Sequence, residues 1–359
     1  MGVLDDYINN GFVVREAIPT PTAIEPPTIH AVEATDLAGK TFAPLVEPVK
    51  GLIVEGVTLL CGASKIGKSW LVLQMCVSVA NGTPFLGRQT VPGPVLYLAY
   101  EDSERRLQER LQRQNSAING NLQFDTKVIP LDAGLLDALT AWVESNPNAR
   151  LIVIDTLQRV RGAVPSRANA YAVDYAVMGR LKAFADCHHV AIVVVHHLNK
   201  LRDVGDPFDK ISGSTGLMGA ADTAIIIARQ RGEDDATVTY AGRDVYGDDF
   251  QIRFEDCRWH VCDPAILARE RYENADTVKA VKLLLQQATF DGTHASTYED
   301  FREWAAQRSL YVGPHQKDTA RLLGQFAAQM ATYDGIHIAL DKRIGTKRGF
   351  MVVGGSKHA

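Results

Sequence analysis

Short apolar runs alternate with stretches of helical period through the middle of the chain, and this alternation predicts most of its elements. Val57–Cys61 reads as a buried strand. Lys68–Ala80 is apolar-rich at helical spacing, and Asn81-Gly82 supplies the stop. Pro94–Tyr100 predicts a second strand, and Ser103–Gln114 a charged helix with Glu104 in its first turn. Leu151–Asp155 and Val190–Val195 predict two further strands, separated by a helix from about Ala168 to Cys187, and Asp222–Arg229 predicts another strand. Continuous β-branched runs between helices imply a parallel sheet covered on both faces. Thr237–Ala241 and Phe250–Phe254 instead alternate around Gly247-Asp248, as an antiparallel hairpin does.

The flanks differ from this core. Residues 1–45 are rich in proline and carry six acids against two bases, which reads as an extended arm or linker, free or docked on a neighbouring subunit. Residues 275–359 hold three helical patterns, Thr277–Gln287, Thr297–Gln307 and Gln316–Ala331, and end in a hairpin with a basic tip at Lys342, Arg343, Lys347 and Arg348. Three helices and a hairpin predict a winged-helix-like module, suited to DNA or to protein docking. The expected organisation is therefore an arm over 1–45, an α/β domain over 46–264 and a small α+β domain over 275–359.

Charge changes the picture only locally. The 359 residues carry a net charge of −4, so bulk attraction to nucleic acid is not expected. The segment 275–359 is nevertheless basic, with 11 Lys/Arg against 8 Asp/Glu. No apolar run approaches the roughly 20 residues that span a bilayer, so no membrane partner is expected. Five scattered cysteines fit a reducing, cytoplasmic setting better than a disulfide framework. Cys257, His260 and Cys262 match no common zinc spacing and are read as residues of a strand pair.

The strongest chemical signal is Gly62-Ala63-Ser64-Lys65-Ile66-Gly67-Lys68-Ser69, which fits G-x-x-x-x-G-K-[ST] between a strand and a helix. Backbone N–H groups of such a loop wrap phosphates, and the helix N-terminus favours their charge. Lys68 is expected on the β/γ-phosphates and the Ser69 hydroxyl on Mg²⁺, with ATP as the nucleotide. Asp155, ending an apolar strand, is the second candidate for Mg²⁺; the bland alternative is a helix cap. Glu101, at the end of the second strand, is the candidate general base, and Asp102 the N-cap of the next helix. His196 and His197 end a strand with opposite facing, so one is a candidate phosphate sensor.

In this order the motifs (Gly62–Ser69, Tyr100-Glu101-Asp102, Asp155, His196-His197, Ser212-Gly-Ser-Thr, Ala221-Asp222) resemble the RecA-like hexameric ATPases, nearest the RepA-type replicative helicases of plasmids and phages and more distantly DnaB. The resemblance covers about residues 45–262. It implies a RecA-like P-loop core, ATP hydrolysis between subunits of a ring, a homo-hexamer, single-stranded DNA and other replication proteins as partners, and a glutamate at Glu101 that activates water. It implies an arginine supplied to the neighbouring site, for which Arg243 is the candidate; an ion pair of Arg243 to Asp244 or Asp248 is the alternative. It further implies two DNA-touching loops, one with Arg159, Arg161 and Arg167, the other with Lys200, Arg202 and Lys210. The leading expectation is an ATP-dependent DNA helicase or helicase-like motor. A nucleotide-switched DNA-binding or loading factor is the alternative, and a RecA-like recombinase a weaker one.

Overall fold

A computed structural model describes residues 31–162, 170–198, 206–211, 215–230, 232–286 and 293–354. The chain divides into two units, Met1–Pro44 and Leu45–Ala359. In the first, Ala34–Gly39 forms one short helix with no buried residue.

The second unit is built on a nine-stranded sheet. Six strands are parallel: β1 (Gly56–Gly62), β2 (Val95–Ala99), β3 (Leu122–Asp125), β4 (Leu151–Asp155), β5 (Ala191–His197) and β6 (Thr223–Arg229). Three antiparallel strands extend it: β7 (Asp235–Gly242), β8 (Asp248–Glu255) and β9 (Arg258–Cys262). The order is β3-β2-β4-β5-β1-β6-β7-β8-β9, so β5 lies between the strand leading into Gly62 and the strand ending at Asp155. This is the mostly parallel α/β core that the residue pattern predicts. Strand β3 and the helix Leu135–Ser145 go beyond that pattern; β3 shows only Leu122 buried and carries no long apolar run.

Alternation explains why the sheet is covered on both faces. Val95, Tyr97, Leu151, Val153, Ala191 and Val193 enter one apolar layer with the helix Lys68–Asn81. Leu96, Leu98, Ile152, Ile154, Ile192 and Val194 enter the other, with Leu181 and Ala185 of the helix Ala170–His188. Each Val, Leu or Ile among them is worth about 1.5–3 kcal/mol on burial. The continuous apolar runs are thus required by two dry faces rather than one.

The C-terminal part has its own apolar cluster, centred on Tyr298, Phe301, Leu323, Phe350 and Val352. Its order is helix Asp276–Leu285, β10 (Thr293–Thr297), helix Tyr298–Ala306, helix Gln316–Asp334, β11 (His337–Ile344) and β12 (Lys347–Val353). The expected hairpin is present, but its sheet has three strands, β10-β12-β11. Strand β10, a run of small and polar residues, has no pattern that announces it. Trp304 is half-buried: it stacks on Phe301 and carries Arg308 over its ring. An unexpected helix, Pro264–Asn274, leads into this part. Glu270 pairs with Arg253 at 2.6 Å and Arg271 with Asp235 at 3.3 Å, tying it to β7 and β8.

Candidate functional site

The site forms where β1, β2, β4 and β5 end. After Gly62 the chain turns through Lys65, at φ 64°, and Gly67, at φ 102°, and enters a helix at Lys68. Gly67 is needed twice over. A side chain is strained at its φ, and a Cβ there would lie 2.8 Å from the Trp259 ring. The Trp259 indole N–H donates to the Gly67 carbonyl at 3.2 Å. Gln74, on the helix after the loop, bonds both the N–H and the C=O of Trp259, at 2.8 and 2.9 Å. The last strand of the sheet therefore braces the phosphate loop from behind.

Arg229, at the end of β6, braces it from the side. Its guanidinium lies 5.2 Å from the Trp259 ring centre and 5.3 Å from that of Phe254. It donates to the Ile66 carbonyl at 3.3 Å and pairs with Asp234 at 3.1 Å. Neither Trp259 nor Arg229 stands out in the sequence, because each meets the loop through contacts more than 160 residues apart.

The predicted chemical groups converge. Lys68 Nζ donates to the carbonyls of Gly62 and Ala63, both at 2.8 Å, and lies 3.4 Å from His197 Nδ1. Burial lowers its pKa, opposed by the carboxylates of Asp155 and Glu101. The Ser69 hydroxyl lies 3.4 Å from Asp155 Oδ2. Asp155 is buried, accepts a 2.9 Å bond from the Tyr97 hydroxyl, and has its pKa pushed up to about 6, chiefly by burial and also by Glu101 and Asp102. Glu101 Oε1 accepts from the Thr156 hydroxyl at 3.1 Å. His197 also faces the Ser64 hydroxyl at 3.5 Å; burial first and then the Lys68 charge lower its pKa, so the ring is neutral at physiological pH. His196 lies beside Cys61 in the β1–β5 ladder. Tyr97 and Thr156 are additions to the expected set. The β2–β4 register sets Tyr97 opposite Val153 and Ala99 opposite Asp155, so Tyr97 reaches Asp155 diagonally, two positions along.

Asp102 departs from expectation. Ser103, not Asp102, caps the helix Glu104–Arg113, accepting from the Arg106 N–H. The Asp102 carboxylate instead pairs with Arg106 at 2.9 Å and with Arg110. Two guanidiniums outcompete two orphan N–H groups for one carboxylate.

Arg243 lies at the far edge of the sheet. Gly242 pairs with Thr223, at the start of β6, whereas Gly62 pairs with Ile227 near its end. Arg243 bonds Asp222 at 3.4 Å and the Gly219 carbonyl at 3.1 Å, so its ion-pair partner is neither Asp244 nor Asp248. In the first loop, Arg159 is exposed and donates to the Tyr100 carbonyl at 3.1 Å, and Arg161 pairs with the buried Asp174 at 2.8 Å. Arg167, Lys200 and Arg202 lie outside the described residues, as does the side chain of Lys210. Among the described residues no group of three or more His, Cys, Asp and Glu could hold a metal, and Cys257 sits in the β8–β9 turn.

The oxygen donors at Ser69 and Asp155 are hard ligands of the kind that Mg²⁺ takes, and a carboxyl with a raised pKa gains most from a cation beside it. The residues present therefore fit a magnesium-bound nucleotide. A family described as AAA domain (AAA_25) matches residues 21–203, just over half of the chain. The chain belongs to this family. No curated protein matches it. Among solved structures, this AAA-domain protein is similar to one described as an ATPase domain, at 15% identity over 58% of this chain and 85% of that one, with TM-score 0.49. It is also similar to a DnaB-like replicative helicase, at 14% identity over 58% of this chain and 57% of that one, with TM-score 0.49. A KaiC-like protein of Pyrococcus horikoshii matches at 15% identity over 60% of this chain and 94% of that one, with TM-score 0.43. The chain thus spans little more than half the length of the DnaB-like helicase.

Proposed function

We propose that this protein is an ATP-hydrolysing motor of the replicative-helicase type, acting on single-stranded DNA as a ring of six copies. The observation that carries the reading is the meeting of Lys68, Ser69, Asp155, Glu101 and His197 at one sheet edge beside a phosphate-binding loop. Each group has a role its chemistry suits. Lys68 exchanges its two carbonyl contacts for phosphate oxygens when ATP enters. Ser69 and Asp155 would hold Mg²⁺, which would supply positive charge against that of the phosphates. Tyr97 fixes the Asp155 carboxylate by its hydrogen bond. Glu101, steered by Thr156, takes a proton from the attacking water. Neutral His197 sits against both Lys68 and Ser64, so a change at the γ-phosphate reaches β5 and the loop that follows it.

Completion of the site by a second copy falls to Arg243, whose guanidinium would leave Asp222 for the neighbour's γ-phosphate. DNA contact falls to the loops after β4 and β5. There Arg159 is exposed with no carboxylate partner among the described residues, whereas Arg161 is held by Asp174. Other replication proteins would dock on the ring. The test is steady-state ATP hydrolysis with and without single-stranded DNA, alongside strand displacement. Stimulation with unwinding supports the motor. DNA binding without either result supports a nucleotide-switched loader instead.

A further inference from the structure

Among the described residues, most Lys and Arg side chains have an ion pair or a hydrogen bond, as Arg229 has with Asp234 and Arg258 with the Gln114 carbonyl. Even within the C-terminal part, Lys279 pairs with Asp276, Lys282 with Asp334 and Lys347 with Glu299. Five exposed cations there have no ion pair or hydrogen bond among the described residues: Lys317 and Arg321 on the helix Gln316–Asp334, and Lys342, Arg343 and Arg348 on the β11–β12 hairpin. Unpaired charges so concentrated make a local positive surface that suits a polyanion.

The helix itself narrows the choice. Its 19 residues span about 28 Å. One face is exposed along its length: Lys317, Arg321, Gly324, Gln325, Ala328 and Thr332, at intervals of one turn. This stripe holds two cations, an amide and small residues, and no carboxylate. Thr319, Leu323 and Met330 hold the opposite face in the core. Gly324 faces Leu340 of β11, so the hairpin lies directly beside the stripe. Asp318 is half-buried and off the stripe, and Glu299, which takes up Lys347, lies on the preceding helix.

We infer that this module binds duplex DNA, with the Lys317–Arg321–Gln325 face in the major groove and Lys342, Arg343 and Arg348 on the flanking phosphates. A helix of about 10–12 Å diameter fits a groove about 12 Å wide. Guanidinium and amide groups suit guanine and adenine edges there. A single strand is the poorer fit, because neither the stripe nor the hairpin exposes a Phe, Tyr or Trp ring for bases to stack on. An acidic protein is also the poorer fit, because the stripe offers no large apolar anchor. Duplex contact by this module is separate from single-strand contact in the ATPase loops.

The test measures binding of the full chain to labelled mixed-sequence duplex of about 20 base pairs and to a single strand of equal length, between about 50 and 200 mM salt. Two variants are compared with wild type: K317Q/R321Q and K342Q/R343Q/R348Q. Each is expected to weaken duplex binding at least about 10-fold and to flatten the salt slope by about 2 and 3 respectively. Basal ATP hydrolysis and its response to single-stranded DNA stay unchanged in both. Unaltered duplex affinity and slope in the variants would overturn the inference, since the duplex would then be held elsewhere. A wild-type chain that binds no duplex at low salt overturns it as well and leaves an acidic protein as the partner.

Discussion

Asp155 makes the chain less stable than it would be without that charge, and the size of the penalty follows from its surroundings. The carboxyl is buried, sits near Glu101 and Asp102, and has a pKa of about 6 against an ordinary 3.8. At about 1.36 kcal/mol per pH unit, holding it ionised in the folded state costs about 3 kcal/mol at neutral pH. The sign is set by proton uptake. Between pH 3.8 and about 6 the native state keeps a proton that the unfolded state releases, so stability falls as pH rises through that window and the penalty is complete above it. Asp155→Asn removes the charge and keeps an oxygen for the Tyr97 hydroxyl. The variant is therefore expected to be more stable than wild type by about 3 kcal/mol near pH 7.5 and by only about 1 kcal/mol near pH 4.5, while losing ATP hydrolysis. Urea unfolding of both proteins at the two pH values, in chelator and without nucleotide, measures this. An Asn variant no more stable than wild type at the higher pH, or an advantage as large at the lower pH as at the higher, would contradict this penalty.

Three other outcomes follow from the bracing of the loop and the tail. Gly67→Ala places a methyl 2.8 Å from the Trp259 ring at a φ of 102°; it should weaken binding of a fluorescent ATP analogue at least about 10-fold and cost about 1–3 kcal/mol of stability. Arg229→Ala removes the contacts to Ile66 and to two aromatic rings, and should raise the KM for ATP with a smaller change in kcat, read from steady-state kinetics. Tyr272→Phe deletes a hydrogen bond to Asp334, which keeps Lys282; differential scanning calorimetry should show the C-terminal part destabilised by about 1–2 kcal/mol with ATP hydrolysis intact.

Local spacing makes much of the site readable. A strand, G-x-x-x-x-G-K-S and a helix are contiguous, so Gly62–Ser69 announces itself, and acids at the ends of the apolar strands β2 and β4 do the same for Glu101 and Asp155. What local spacing hides depends on distant pairing. The order of strands puts Tyr97 beside Asp155, and the return of β9 over the helix puts Trp259 on Gly67. No periodicity within either segment encodes these meetings. Asp102 misleads for a related reason: as a cap it answers to its neighbours in sequence, but Arg110, two turns along the helix, offers a stronger partner. In the tail, the three helices are legible from their apolar spacing, whereas β10 is a short polar strand whose only recommendation is the free edge of β12.

Single-turnover hydrolysis in Glu101→Gln, beside equilibrium binding of ATP, decides whether this edge of the sheet hydrolyses ATP with Glu101 as the base. Binding within a few-fold of wild type and hydrolysis at least about 100-fold slower are expected. Hydrolysis at the wild-type rate in that variant would contradict that role of Glu101.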